Sequence, residues 1–158
     1  MKMLNIGQTA PNFTLKDQHG KPTQLNELIA DGDLILYFYP ADFSPGCTAE
    51  ACTFRDGYQG VQEVGMQIVG ISPQSAASHK RFARSFSIPF SLLSDPGKQT
   101  IRKYGVDGPM GFGVRRATFL IDREGVIRNR VIADLMINSH AKLINETVRG
   151  RKAEIKAA

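Results

Sequence analysis

Two cysteines carry the chemistry that this sequence offers most clearly. Cys47 and Cys52 stand five residues apart, shortly after an apolar run at 34–39 that is typical of a buried strand. Between the run and the cysteines, Ser44 fits the N-cap of a helix and Pro45 its first position. Cys47 then lies in the first helical turn, where unpaired N–H groups and the positive end of the helix dipole favour a thiolate. Because the thiolate is the nucleophilic form of cysteine, Cys47 is a candidate nucleophile.

The two cysteines fall on different faces of the predicted helix. At about 100° per residue, Cys47 shares one stripe with Ala51, Phe54, Tyr58 and Val61. Cys52 projects at about 140° from Cys47, on the polar side. A cysteine is ordinarily a small buried hydrophobe. The polar surroundings of Cys52 and the helix-start position of Cys47 argue against that interpretation, so we interpret the pair as a nucleophile and its redox partner.

Other functions match these residues less well. His19, His79 and His140 have no zinc-ligand spacing from either cysteine, so we expect no metal and no bound cofactor. A thioredoxin-type reductase would need Cys-x-x-Cys, but the residue three positions after Cys47 is a glutamate. A cysteine–histidine hydrolase stays open because such a site is assembled in space, although it gives no reason for a second cysteine. A basic binding module would leave the whole segment 40–56 unexplained.

The segment around the cysteines resembles the active-site motif of the peroxiredoxins, Pro-x-x-x-(Thr/Ser)-x-x-Cys. Pro40, Ser44 and Cys47 match it, and Cys52 followed by Phe-Arg-Asp is similar to the bacterioferritin comigratory protein, or PrxQ, branch. The resemblance implies that Cys47 attacks a peroxide and becomes a sulfenic acid, which Cys52 resolves as an intramolecular disulfide. It also implies that the Ser44 hydroxyl hydrogen-bonds the thiolate and peroxide, and that Pro40 shields the sulfur. Serine replaces the commoner threonine here, which keeps the hydroxyl.

The same resemblance implies a distant arginine that holds the sulfur ionised and polarises the peroxide. Arg116 begins a stretch, Arg-Ala-Thr-Phe-Leu-Ile-Asp, that is similar to the family's Arg-x-(Ser/Thr)-Phe-Leu-Ile-Asp. Its neighbour Arg115 should then point outward into solvent. Arg55, eight residues after Cys47, could either orient the site or form a structural ion pair.

The rest of the chain alternates strands and helices. Strands are expected at 12–16, 22–24, 34–39, 66–72, 91–94, 116–121 and 126–131. Helices are expected at 25–29, after Ser44, from Ser72 with a proline at its first position, at 99–104, and from Ser139 to about Arg149. The order predicts an α/β fold with a mixed central β-sheet, helices on both faces and an N-terminal β-hairpin. It is similar to the thioredoxin-like fold that the peroxiredoxin resemblance implies.

Composition agrees with one domain over residues 1–158. The chain is 42% apolar and 22% charged, as globular proteins commonly are, and two cysteines are too few for a disulfide scaffold. No apolar stretch reaches the roughly 18 residues of a membrane span, so we expect a cytoplasmic protein that binds no membrane. The net charge of +5 is partly concentrated in residues 149–158, which we interpret as a frayed basic tail and not as a nucleic-acid site. The resemblance implies a monomer that uses peroxides and a thioredoxin-type dithiol donor.

Overall fold

The strands join into one seven-stranded mixed sheet in the computed structural model, which describes residues 2–158. In chain order they are β1 (Thr14–Lys16), β2 (Pro22–Gln24), β3 (Leu34–Phe38), β4 (Gln67–Ser72), β5 (Ser91–Ser94), β6 (Ala117–Ile121) and β7 (Ile127–Ile132). Across the sheet the order is β2-β1-β5-β4-β3-β6-β7. β4 pairs in parallel with both β3 and β5, and all other neighbouring pairs are antiparallel. The predicted mixed sheet with its N-terminal hairpin is confirmed.

Five helices cover the two faces of this sheet. They are α1 (Leu25–Leu28), α2 (Pro45–Glu63), α3 (Ala76–Phe86), α4 (Gln99–Lys103) and α5 (Ile137–Ala157). Residues of α2, α3 and α5 belong to the hydrophobic cluster on one face, and residues of α1 and α4 to the cluster on the other. The prediction of helices on both faces is therefore confirmed as well.

Strand β3 lies inside the sheet, between β4 and β6, and is buried on both sides. Leu34, Leu36 and Phe38 pack into one cluster, while Ile35 and Tyr37 pack into the other. A strand between two layers of helices has no polar face, which explains why its sequence is a continuous apolar run. The chain leaves β3 directly into the segment that leads to Cys47, so the end of this buried strand fixes where α2 begins.

Helix α3 begins later than the sequence predicted. Ser75 is its N-cap, and the Ser75 hydroxyl oxygen accepts a hydrogen bond from the backbone N–H of Ser78 at 3.1 Å. Ser72 does not cap a helix, because it is the last residue of β4 and is paired with Ser94 of β5. Both positions satisfy the sequence rule for a cap, and strand pairing decides between them.

Helix α5 is longer than predicted at both ends. It begins at Ile137 and continues to Ala157, so the basic residues 149–157 are helical where we expected a frayed tail. Arg151 forms an ion pair with Asp33, and Lys152 forms one with Glu63 of α2. These acidic partners lie more than 80 residues away in the sequence, which is why local composition did not reveal them.

No helix between residues 2 and 158 combines the length and the apolar content that crossing a membrane requires.

Candidate active site

The start of α2 holds Cys47 where the sequence predicted it. Ser44 is the N-cap, Pro45 is the first helical residue, and the backbone N–H of Cys47 donates to the Ser44 hydroxyl oxygen at 3.4 Å. The side chain of Cys47 points into the protein, with only 1% of its surface exposed. The Ser44 hydroxyl donates its own hydrogen to the Ala41 carbonyl at 3.1 Å. The hydrogen bond from Ser44 to the thiolate stays a prediction, and it would require the hydroxyl to rotate.

Arg116 contacts the sulfur of Cys47. Its Nη2 donates to Cys47 Sγ at 3.3 Å, although the two residues are 69 positions apart. The sheet brings them together, because β6 pairs with β3 and the first residue of β6, Ala117, lies opposite Phe38 at the end of β3. Arg116 therefore lies beside the point where the chain leaves β3 for α2. A guanidinium at this distance stabilises the thiolate over the thiol.

Asp134 keeps the two neighbouring arginines in different environments. One of its carboxylate oxygens accepts the backbone N–H of Arg116 at 2.9 Å, and the other accepts two bonds from the Arg115 guanidinium, at 3.1 and 3.2 Å. The Arg115 side chain is about two-fifths exposed, whereas Arg116 is only 5% exposed. The structure thus turns Arg115 outward and Arg116 inward, in the arrangement that the sequence motif predicted.

Glu50 is a member of the site that the sequence analysis missed. Its Oε1 accepts a bond from Arg116 Nη1 at 2.7 Å, and its side chain is completely buried. Burial raises the pKa of Glu50 to about 7, against the opposing effect of the Arg116 charge. The signal was present in the sequence: Glu50 is three residues after Cys47, so a charged residue lies near the apolar stripe of a helix.

Burial by itself would lower the pKa of Arg116, but the charges of Glu50 and Cys47 raise it above its ordinary value. The guanidinium is therefore charged, and it donates hydrogen bonds to the Glu50 carboxyl group, to the Cys47 sulfur and, from Nε, to the carbonyl oxygen of Asp134 at 3.4 Å.

Gly46 leaves room for this arginine. A Cβ atom at position 46 would lie 3.1 Å from Arg116 Nη2 and 3.5 Å from Cδ1 of Ile137. Because Arg116 is fixed by Glu50 and Asp134, it could not easily move away from a larger residue. Glycine at this position permits the close contact between the start of α2 and the guanidinium.

Pro40 lies at the edge of an open cavity of about 770 Å³. The cavity is also lined by Phe112 and Val114 and by the surface pair Arg115 and Asp134. Of the predicted site residues only Pro40 lines this cavity, and Cys47, Ser44 and Arg116 do not.

Cys52 and Arg55 lie further along α2, away from the sulfur of Cys47. Cys52 is half-buried and both cysteines are free thiols. Arg55 pairs with Asp56 at 3.0 Å and donates from Nη1 to the carbonyl of Phe86 at 2.7 Å. Of the two roles left open for Arg55, its contacts agree with the structural one.

The histidines do not form a triad with Cys47. His79 hydrogen-bonds Asp42 and the carbonyl of Leu93, and His140 hydrogen-bonds Thr118 and the carbonyl of Ala133. Within residues 2–158, no group of three or more His, Cys, Asp or Glu side chains could hold a metal ion. The geometry therefore does not support the hydrolase alternative.

Removing Arg116 should slow the oxidation of Cys47 by hydrogen peroxide. The loss of one donor to a developing negative charge typically costs about 100-fold to 1,000-fold in rate, so Arg116→Ala should show a loss of that size in a single-turnover peroxide assay. Arg115→Ala should leave the rate almost unchanged, because the Arg115 side chain bonds Asp134 at the surface. The measurement is best made with Glu50→Gln in both variants, since Arg116→Ala would otherwise leave a buried carboxylate unpaired. A larger loss for Arg115→Ala would contradict the assignment.

Glu50 should make the free energy of unfolding depend on pH. The pKa of Glu50 is about 7 in the folded protein against an ordinary 4.5. Between these two pH values Glu50 keeps its proton in the folded protein and loses it in the unfolded chain. Stability should therefore fall as pH rises through this window, by at most about 1.4 kcal/mol per pH unit. Urea unfolding should show a flatter dependence for Glu50→Gln, and the wild-type slope for Glu146→Gln, whose side chain is exposed. Equal slopes in wild type and Glu50→Gln would contradict the prediction.

Comparison with known proteins agrees with this geometry. Residues 6–130 match the AhpC/TSA family. The chain is 43% identical over 155 residues to the chloroplastic peroxiredoxin Q of Arabidopsis thaliana, covering 95% of this chain and 68% of the relative. It is 45% identical over 124 residues to that of Triticum aestivum, covering 77% of this chain and 56% of the relative. The chain thus spans between about half and two thirds of the length of these relatives.

Solved structures give the same result. Peroxidoxin BcpB from Mycobacterium tuberculosis superposes with a TM-score of 0.87 at 35% identity, covering 93% of this chain and 97% of the other. A Xanthomonas campestris bacterioferritin comigratory protein, described in connection with alkyl peroxide reduction, superposes with a TM-score of 0.78 at 28% identity, covering 90% and 91%. By its sequence, its thioredoxin-like fold and the Arg116–Cys47 contact, this chain belongs to the AhpC/TSA family, in its peroxiredoxin Q branch.

Proposed function

We propose that this chain is a thiol peroxidase that reduces hydrogen peroxide and organic hydroperoxides through Cys47. The observation that carries the proposal is the 3.3 Å contact between Arg116 Nη2 and Cys47 Sγ at the first turn of α2. A helix N-terminus and a guanidinium both favour the thiolate, and the same guanidinium can polarise a bound peroxide. The Xanthomonas campestris relative is associated with alkyl peroxide reduction, which supports organic hydroperoxides as a substrate class.

In the proposed first step the Cys47 thiolate attacks one oxygen of the peroxide. A sulfur–oxygen bond forms while the oxygen–oxygen bond breaks, and the leaving oxygen takes a proton to become water or an alcohol. Cys47 is then a sulfenic acid. Arg116 stays next to both the sulfur and the negative charge that develops on the leaving oxygen.

In the second step the Cys52 thiol condenses with this sulfenic acid. The Cys47–Cys52 disulfide forms and water leaves. A dithiol donor then reduces the disulfide by thiol–disulfide exchange and becomes a disulfide itself. We propose thioredoxin as the donor and a monomer as the working form, both on the family resemblance.

Substitution of each cysteine tests the assignment of roles. Cys47→Ser should abolish turnover, because a neutral alcohol does not replace a thiolate nucleophile at neutral pH. Cys52→Ser should still consume one equivalent of peroxide without recycling through an intramolecular disulfide. Both are measured as peroxide-dependent NADPH oxidation coupled through thioredoxin and thioredoxin reductase, with a single-turnover peroxide assay beside it. Single-turnover consumption that survives in Cys47→Ser would rule out Cys47 as the attacking residue.

The disulfide should require part of α2 to unwind. In an intact helix, residues five apart are about 8 to 9 Å apart between Cα atoms, whereas a disulfide tolerates about 7 Å at most. Helix α2 is continuous from Pro45 to Glu63, and the Cys47 side chain faces the core. Oxidation should therefore lower the protection of backbone amides at 46–54 in hydrogen exchange.

Peroxide-treated Cys52→Ser is the matched control for this measurement, because it can form the sulfenic acid but not the disulfide. It should keep the protection of the reduced protein. Equal protection of residues 46–54 in reduced and oxidised wild type, with the Cys47–Cys52 bond verified by mass spectrometry, would contradict the unwinding.

A further inference from the structure

The segment Pro40–Ser44 connects β3 to α2 and carries two of the site residues, yet it contains no regular structure. Phe43, next to Ser44, has a φ of 65°, in the left-handed region that aromatic residues rarely adopt. Such a conformation persists only where the surrounding contacts enforce it. Something outside the segment must therefore hold Pro40 and Ser44 in position.

Asp42 is the main anchor of this segment. Its carboxylate accepts hydrogen bonds from the Tyr39 hydroxyl at 2.7 Å, from the Ser78 hydroxyl at 2.8 Å and from Nδ1 of His79 at 2.7 Å. Burial by itself would raise the pKa of Asp42, but the bonds from His79, Tyr39 and Ser78 lower it below the ordinary value. Asp42 is therefore a carboxylate, and it can only accept from His79.

The other ring nitrogen of His79 also faces an acceptor. Nε2 lies 3.0 Å from the carbonyl oxygen of Leu93, and the His79 side chain is completely buried. A carbonyl and a carboxylate are both acceptors, so each ring nitrogen of His79 faces an acceptor. His79 is thus held between Asp42 and Leu93, and the hydroxyls of Tyr39 and Ser78 bond the same carboxylate.

Two further residues, Gln74 and Phe82, tie the same segment to α3 and to the loop before it. The Gln74 side chain accepts the backbone N–H of Asp42 at 3.0 Å and donates to the carbonyl of Pro40 at 3.1 Å. The ring of Phe43 packs edge-on against Phe82 of α3, with ring centres 5.2 Å apart. None of these contacts involves the part of α2 that contains the cysteines.

The opposite end of the cysteine segment is anchored on α3 as well. Arg55 donates to the carbonyl of Phe86, the last residue of α3. Helix α3 therefore holds the chain both before Pro45 and at Arg55. The residues between these two anchors include Cys47 and Cys52, and they are the ones that the disulfide requires to move.

We propose that His79, buried between Asp42 and the carbonyl of Leu93, is a positioning residue that fixes Pro40 and Ser44 for the attack of Cys47 on peroxide. The proposal rests on the proposed peroxidase function. Because the anchor does not depend on the integrity of α2, it supports the attack step and is not needed for the resolving step. His79 touches neither the sulfur nor a substrate, and acts only through the segment that it holds.

Rapid-mixing measurement of the two steps tests this. In His79→Gln, peroxide attack on Cys47 should slow by about 10-fold to 100-fold, as expected for a small displacement of a positioned group. Disulfide formation from the sulfenic acid should slow by less than about 2-fold or become faster, because Ser44 caps α2 less firmly. His19→Gln is the matched control, since His19 is exposed in the hairpin turn, and it should leave both rates unchanged.

An unchanged attack rate, or an equal loss in both steps, would overturn the proposal, because equal loss indicates general damage to the fold. Should His79→Gln fail to fold, Asp42→Asn gives the same comparison with a smaller change. Amide hydrogen exchange provides an independent test that needs no activity. The backbone N–H of Asp42, which bonds Gln74, should lose protection in His79→Gln and keep it in His19→Gln, and unchanged protection in His79→Gln would overturn the proposal. If wild type consumed no peroxide while His79→Gln lowered this protection, the proposed function would fail and the anchor would remain.

Discussion

The contact between the Arg116 guanidinium and the sulfur of Cys47 is the interaction on which the rest of the site depends. Both side chains are almost fully buried, so the cation has lost most of its water. A buried cation needs hydrogen-bond acceptors, which the Glu50 carboxyl group provides from α2 and the backbone carbonyl of Asp134 provides from the segment before α5. The site therefore requires three parts of the chain to meet at one end of the sheet.

Glu50 and Cys47 both accept hydrogen bonds from the Arg116 guanidinium and therefore compete for its charge. An ionised Glu50 neutralises part of the charge that the thiolate needs, but burial raises the pKa of Glu50 into the physiological range. Near neutral pH the carboxyl group is therefore protonated in a substantial part of the molecules, and the charge of Arg116 is then directed at Cys47. Because burial keeps part of the Glu50 carboxyl groups protonated, it reduces the competition between Glu50 and the Cys47 thiolate for the Arg116 guanidinium.

The proposed reaction places opposite demands on α2. Attack on peroxide needs the first turn intact, because the helix N-terminus and Arg116 act on Cys47 only there. Disulfide formation needs the same turns to open, since the two cysteines point to different sides. Asp42, before α2, and Arg55, within α2, are both hydrogen-bonded to α3. In the proposed reaction, only the residues between these two anchors, which include both cysteines, need to move when the disulfide forms.

The sequence by itself determined the features that local chemistry controls. Ser44 before Pro45 indicated the start of α2, and the apolar run at 34–39 indicated β3, so the local environment of Cys47 could be predicted. The same pair at Ser72 and Pro73 starts no helix, because Ser72 is paired within the sheet. Only the tertiary structure decided which distant groups reach it. The side chains of Glu50, Asp42 and His79 are buried together with their partners, and burial is a property of the packed fold. The helical end of α5 likewise carries the Arg151–Asp33 ion pair, and pairing across the fold has no signature in the local sequence.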